Sequence, residues 1–219
     1  MLQPVILPLV DLPPDSPHIP GILNELSCKS VVSIPRTPQG PAGICYWNVE
    51  SMVKSHGGKL IIGWLIQWVP GLYVQAMHHG VWESPDGKLW DLTADQTEAS
   101  VGEIKNGTST FVPDNSISID LQWPVMIVNK HHVITNDPDV IESLYFYRLN
   151  CQASASLFQY LKIKGGYKWQ PISGMSGLEP NEEINIFLMN NNSLKDLSFE
   201  LMHKHRDNIR KKYFANEPS

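Results

Sequence analysis

The sequence is poor in charged residues and lacks long apolar runs. Charged residues make up 18% of the 219-residue chain, against about 25% in an average globular protein. The formal net charge of −5 argues against the overall basic surface of a nucleic-acid-binding protein. No run of about 18 apolar residues occurs, which excludes a membrane-spanning helix, and the start lacks the basic region of a secretory signal. We therefore expect a cytoplasmic protein that binds neither nucleic acid nor membrane.

Cysteine is also scarce, since the chain contains only Cys28, Cys45 and Cys151. An odd number of cysteines without metal-like spacing argues against a disulfide framework and against a cysteine-ligated zinc site. Free thiols fit a reducing compartment, where a single cysteine can serve as the nucleophile of an enzyme. We therefore weigh each cysteine as a candidate nucleophile and expect no cofactor.

Proline and tryptophan are unevenly distributed. Nine of the 17 prolines lie in the first 41 residues, and five of the seven tryptophans lie between Trp47 and Trp90. Because proline removes a backbone donor and favours extended structure before it, we predict an extended arm over residues 1–24 and a loop over 31–43. We divide the chain into a proline-rich N-terminal arm, residues 1–38, and a single α+β catalytic domain, residues 39–219.

Hydrophobic periodicity predicts one helix, then strands, then further helices. The first helix covers residues 45–55 and ends at Gly57-Gly58. Strands are predicted over residues 59–69, 72–84, 88–93, 110–112, 116–121 and 125–128. Later helices are predicted over 140–164, with a candidate break near Asn150, and over 193–213, with Asn192 or Ser193 as the N-cap. This order predicts an α+β fold in which the first helix packs on an antiparallel sheet.

Cys45 is the strongest candidate nucleophile among the three cysteines. It follows a glycine-rich loop and begins the predicted helix, where the helix dipole and unpaired N–H groups stabilise a thiolate. Cys28 and Cys151 lack such a setting. The alternative is that Cys45 is simply a small buried residue of the helix.

A thiol nucleophile needs a base and a group that orients the base. Ser84-Pro85-Asp86-Gly87 is typical of a tight hairpin turn. With this three-residue loop, His79 lies diagonal to Asp91 on the same face of the sheet, within reach of it. A four-residue loop would shift the register by one residue and favour His78 instead. We expect His79 to be the base and Asp91 the orienting acid, although both could be ordinary hairpin residues.

The segment Gln39-Gly40-Pro-Ala-Gly43-Ile-Cys45-Tyr-Trp47 resembles the active-site segment of papain-like cysteine proteases. That family has a glutamine six residues before the nucleophile, glycines five and two residues before it, and an aromatic residue after it. The resemblance implies that the Gln39 side chain and the Cys45 backbone N–H bind the oxyanion.

The order Cys45, His79, Asp91 is similar to that of transglutaminase-like members of the same superfamily, which include small amidases that act on glutamine. The similarity covers about residues 39–93. It implies a papain-like/transglutaminase-like hydrolase or amidase that acts on a peptide bond or a glutamine side chain of a protein or peptide substrate. The sequence leaves protease, deamidase and transamidase open.

Two other interpretations remain. The chain could be a non-catalytic protein-interaction module whose thiol is inert. The other is a metal-dependent hydrolase, for which only a cluster of His78, His79 and Asp91 with His131 or His132 could supply the ligands. Asn48, one turn after Cys45, could touch the candidate site, although a helical asparagine more commonly binds solvent or backbone.

Overall fold

The computed structural model describes residues 4–94, 107–164, 167–171, 174–177 and 181–215. The first half contains strand β1 (Val10–Asp11), helix α1 (Ile19–Leu26), β2 (Val32–Gly40), α2 (Cys45–His56), β3 (Lys59–Val69), β4 (Tyr73–Glu83) and β5 (Leu89–Thr93). It continues with β6 (Gly107–Pro113), β7 (Lys130–Val133), α3 (Pro138–Lys164), β8 (Lys168–Gln170), β9 (Gly174–Ser176) and α4 (Glu182–Tyr213). The fold is therefore α+β, as predicted, with long helices towards the C-terminus.

Five strands close into a barrel in the order β3, β6, β2, β5, β4, because β4 also pairs with β3. β1 extends the sheet beside β3, and β7 extends it beside β4. All these pairs are antiparallel except β2 with β5, which is parallel. The prediction of an antiparallel sheet is thus wrong in detail, since the observed sheet closes into a barrel and contains one parallel pair. Helix α2 packs against β3, β4 and β5.

The central elements match the sequence prediction closely. The predicted first helix and the three strands after it correspond to α2, β3, β4 and β5, with ends that differ by no more than one residue. α2 ends where Gly57 adopts a φ of 75°, a conformation that glycine tolerates best. These are the elements that carry Cys45, His79 and Asp91.

Strand β2 contradicts the loop predicted over residues 31–43. Its Val32–Arg36 part pairs antiparallel with β6, and Gly40 pairs with Thr93 of β5. The register shifts between Arg36 and Gly40, so Pro38 lies at an irregularity where its missing donor is tolerated. β2 fills the space between β5 and β6 and so completes the barrel. It also crosses the predicted boundary between residues 38 and 39.

Helix α1 contradicts the extended arm predicted over residues 1–24, of which residues 1–3 lie outside the described chain. Pro20 occupies the first turn of α1, where a proline costs no helical hydrogen bond. Leu12, Ile19 and Ile22 are buried against Trp64 of the barrel and its neighbours. The N-terminal region therefore contributes to the core.

Two strands predicted in the second half are absent from the described residues, because 116–121 and 125–128 form turns and irregular chain. Asp114 Oδ1 accepts a hydrogen bond from the Ser116 backbone N–H at 2.9 Å, and Asp120 Oδ1 accepts one from Gln122 N–H at 3.0 Å. Such local bonds from aspartate compete with strand pairing. The short strand β7, which the sequence analysis did not predict, follows them.

The C-terminal helices are longer than predicted. α3 has no break at Asn150, whose side chain instead donates to the Lys195 carbonyl at 2.9 Å and to Ser198 Oγ at 3.2 Å. α4 begins at Glu182, and its N-cap is Asn181, which accepts from the Ile184 N–H at 2.9 Å. The predicted cap at Asn192 or Ser193 is therefore wrong. No helix within the described ranges is both long and apolar enough to cross a membrane.

Candidate active site

The hairpin between β4 and β5 has the register that the turn sequence predicts. The Ser84 N–H donates to the Lys88 carbonyl at 2.9 Å, and the Gly87 N–H donates to the Ser84 carbonyl at 2.8 Å. Gly87 has a φ of 83°, which this tight turn requires and glycine permits. Trp82 consequently pairs with Trp90, which places His79 and Asp91 on the same face.

His79 and Asp91 form a buried hydrogen-bonded pair. The distance from His79 Nε2 to Asp91 Oδ1 is 2.8 Å, and the two residues are 4% and 1% exposed. Asp91 accepts two further bonds, from the Ser109 hydroxyl at 2.8 Å and from the Thr93 N–H at 3.1 Å. These donors satisfy a carboxylate that would otherwise be costly to bury. The imidazole is thus held in one orientation, with Nδ1 as its remaining nitrogen.

Cys45 is the first residue of α2 and is buried, with 9% of its surface exposed. Its side chain lies close enough to the His79 imidazole to raise the pKa of His79, through its charge and through hydrogen bonding. Because Asp91 occupies Nε2, Nδ1 is the ring nitrogen available to Cys45. Within the described chain no side chain caps the helix at Ile44, so N–H groups at this end are available to an anion. The structure therefore brings together the three residues that the sequence analysis selected.

The electrostatics of the three groups favour a charged imidazole. Burial disfavours the imidazolium, but the charges of Asp91 and Cys45 outweigh burial and raise the pKa of His79 to about 10. Burial also opposes the Asp91 carboxylate, yet His79 and the hydrogen bonds from Ser109 and Thr93 lower the pKa of Asp91. A charged imidazole beside a thiol and a carboxylate can give a proton to a leaving group.

His78, the alternative base, lies elsewhere. Its Nδ1 is 3.1 Å from the Tyr46 hydroxyl, and its ring stacks on Tyr46 at 5.8 Å. Burial and the neighbouring charge of His79 lower the pKa of His78 to about 4. His78 is therefore neutral near pH 7, and it has a different partner from His79.

Gln39 is exposed near the end of β2 and lines a cavity of about 560 Å³ beside α2. Gly40, Pro41, Trp47 and Asn48 line the same cavity, which places Gln39 close to the N-terminal turn of α2. Gly43 has a φ of 84°, so the loop that leads into Cys45 needs a glycine there. The oxyanion role of Gln39 remains a prediction.

Trp47 contributes to the wall of this cavity. Its indole N–H donates to the Leu121 carbonyl at 3.1 Å, and its ring lies 4.6 Å from the ring of Trp169. These contacts fix Trp47 between α2 and the chain that follows the barrel. A large indole ring held at this cavity reduces the access of water to it.

Close packing of Gly80 in β4 fixes α2 on the barrel. A Cβ atom at Gly80 would lie 2.7 Å from Tyr46 Cδ1 and 2.9 Å from Leu60 Cδ1. We expect Gly80→Ala to lower the free energy of unfolding by about 1–3 kcal/mol, measured by urea denaturation. Gly107→Ala is the control, because its nearest neighbour would be Arg36 Nη2 at 3.7 Å. Equal stability of the two variants would contradict this packing argument.

The sequence did not identify Ser109 as a partner of Asp91. Ser109 lies in β6, and neither its spacing nor its neighbours in the sequence distinguish it from other strand residues. The sequence also left open whether Asn48 touches the site. In the structure, Asn48 donates to both the Pro41 carbonyl and Thr93 Oγ1. Both contacts depend on how the barrel closes, which local patterns do not encode.

A metal centre finds no support in the described part of the chain, which contains no group of three or more His, Cys, Asp or Glu side chains able to hold an ion. The Nε2 atom of His131, one of the candidate ligands, instead lies 3.2 Å from Gln75 Oε1. Comparison of the chain with protein-family models, curated proteins and solved structures found no match. Functional inference therefore depends on the geometry of the site.

Proposed function

We propose that the chain is a thiol-dependent hydrolase or amidase with a papain-like/transglutaminase-like arrangement, in which Cys45 is the nucleophile, His79 the base and acid, and Asp91 the orienting group. The observation that carries this proposal is the buried hydrogen bond between His79 and Asp91, together with the interaction of the buried Cys45 side chain with the same imidazole. Side-chain nucleophiles in unrelated folds are activated by the same arrangement, in which a base contacts the nucleophile and a carboxylate orients the base.

The proposed reaction proceeds in two steps. The Cys45 sulfur attacks the carbonyl carbon of an amide, the C–N bond breaks, and the nitrogen leaves with a proton from the His79 imidazolium. Neutral His79 then takes a proton from a water molecule as that water attacks the thioester. The C–S bond breaks, a carboxylic acid leaves, and the Cys45 thiolate and the His79 imidazolium are restored. The Gln39 amide and the Cys45 N–H would donate to the oxyanion that forms in each step.

The substrate class follows from this chemistry and from the cavity beside Gln39. Among the described residues that line it, apolar and amide side chains predominate and no Asp, Glu, Lys or Arg occurs. Such a surface suits an uncharged group on a protein or peptide, including the side-chain amide of glutamine. Attack on that amide releases ammonia, whereas attack on a peptide bond releases an amine, and an acceptor amine in place of water gives transamidation.

Selective alkylation of Cys45 by iodoacetamide tests the proposal. We expect Cys45 to be labelled faster than Cys28 and Cys151 by about tenfold or more at pH 6, despite its burial, because only Cys45 contacts an imidazolium. Burial raises the pKa of Cys28 and of Cys151, so these two thiols are internal controls. The measurement is the site-resolved labelling rate from pH 5 to 9 by peptide mass spectrometry.

The opposite result has a clear meaning. If Cys45 is labelled no faster than Cys28 or Cys151 at pH 6, the thiolate–imidazolium pair does not form. The chain would then be better described as a non-catalytic interaction module on the same scaffold.

A further inference from the structure

Asn48 lies where three segments of the candidate site meet. It is one turn after Cys45 in α2, and its side-chain amide donates to the Pro41 carbonyl at 2.9 Å and to Thr93 Oγ1 at 3.1 Å. Pro41 is two residues after Gln39, and Thr93 is two residues after Asp91. One amide group therefore connects the helix of the nucleophile to the loop of Gln39 and to the strand of Asp91.

Further bonds join the same segments. The Thr93 N–H donates to Asp91 Oδ1, the oxygen that also contacts His79. The Ala94 N–H donates to the Gly40 carbonyl at 3.1 Å, next to the pairing of Gly40 with Thr93. Together with the bonds of Asn48, these contacts connect the Gln39 loop to the acid of the site.

The fit between Asn48 and Gly40 is close. A Cβ atom at Gly40 would lie 2.2 Å from Asn48 Oδ1, so a side chain there would displace either the loop or Asn48. The glycine that resembles the papain-like pattern is thus explained by contact with Asn48. The φ of Gly40 is not in the left-handed region. A glycine is therefore needed at this position for lack of space and not for its backbone conformation.

We propose that Asn48 is a positioning residue that holds the Gln39–Pro41 segment against the start of α2, so that the Gln39 amide and the Cys45 N–H meet at one oxyanion. The inference rests on the proposed function. An exposed glutamine next to a glycine needs such a restraint, because oxyanion donors act only when their positions are fixed before the reaction. A displacement of about 1 Å in such a group can cost about 100-fold in rate.

Two reactions of Cys45 separate positioning from general damage. Iodoacetamide reacts by displacement of iodide and forms no oxyanion, whereas p-nitrophenyl acetate acylates the thiol through a tetrahedral oxyanion and releases p-nitrophenolate. We expect Asn48→Ala to slow acylation by about 10- to 100-fold, while alkylation at pH 6 changes less than about twofold. Thr93→Val, which removes one acceptor and leaves the Pro41 contact, is expected to have a smaller effect on acylation.

Lys54→Ala is the matched control, because Lys54 is an exposed residue of α2 that pairs with Glu50 at 2.8 Å and does not line the cavity. We expect it to leave both rates unchanged. Acylation of Asn48→Ala at the wild-type rate, or a parallel loss of acylation and alkylation, would overturn the inference. Failure of the proposed function is distinguishable, because wild-type Cys45 itself would then show no selective alkylation, and the inference would fall with it.

Discussion

Replacing His79 by alanine is expected to slow the acylation of Cys45 by p-nitrophenyl acetate by about 10²- to 10⁴-fold, the usual contribution of a positioned acid–base group. The same variant should lower the rate of iodoacetamide labelling of Cys45 at pH 6 by about tenfold or more, because the imidazolium that stabilises the thiolate is lost. The measurement is the rate of p-nitrophenolate release, together with labelling of Cys45 from pH 5 to 9.

The neighbouring histidine supplies the control. His78→Ala removes an imidazole from the same strand, but that ring contacts the Tyr46 hydroxyl and not Asp91, so we expect less than about a threefold change in acylation. His79→Gln tests whether a loss of rate comes from loss of the base or from disturbed folding. The glutamine amide can still hydrogen-bond to Asp91, but it cannot act as a base. If His78→Ala slows acylation as much as His79→Ala, or if His79→Gln retains the wild-type rate, His79 is not the base.

The fold was predictable from sequence where local patterns decide the structure. The Ser84–Gly87 turn determines the register of β4 and β5, and the alternating side chains then determine which histidine faces Asp91. α2 was likewise predictable, because its apolar face and its terminal glycine are both local features. These elements carry the nucleophile, the base and the acid.

β2 was not predictable from local sequence, because Pro35 and Pro38 make it resemble a loop. Its strand conformation depends on pairing with β6 and β5, and both partners are distant in sequence. Tertiary pairing thus overrides propensity. The same barrel closure brings Ser109 to Asp91 and joins the Gln39 loop to Thr93, so these parts of the site emerged only from the structure.

Replacing Asp91 by alanine is expected to lower the free energy of unfolding by about 3–5 kcal/mol, the range found when one partner of a buried ion pair is removed. The change leaves the buried His79 ring, the Ser109 hydroxyl and the Thr93 N–H without the acceptor they now share. Urea denaturation under reducing conditions measures the loss.

Two variants calibrate that loss. Ser109→Ala removes one of the three donors to Asp91 and should cost about 1 kcal/mol. Asp207→Ala removes an exposed carboxylate of α4, which pairs with Lys211, and should cost no more than about 0.5 kcal/mol. If Asp91→Ala is no more destabilising than Asp207→Ala, Asp91 is not the buried ion-pair partner that its contacts indicate.

The pair also determines how stability depends on pH. The pKa of His79 rises from 6.5 to about 10 on folding, so its contribution is complete below about pH 6.5 and is lost as the pH rises towards 10. The pKa of Asp91 falls below 3.8 on folding, so its contribution is present above about pH 4 and is lost as the pH falls through the folded-state value.

We therefore expect the difference in free energy of unfolding between wild type and Asp91→Asn to be largest between about pH 4 and 6.5 and to shrink on both sides. Taking the difference isolates the pair from other titrating groups, because those groups are common to both proteins. The measurement is urea denaturation of the two proteins from pH 3 to 10. A difference that stays constant over this range would show that the interaction does not require a charged imidazole and carboxylate, and the electrostatic basis of the thiolate would be lost with it.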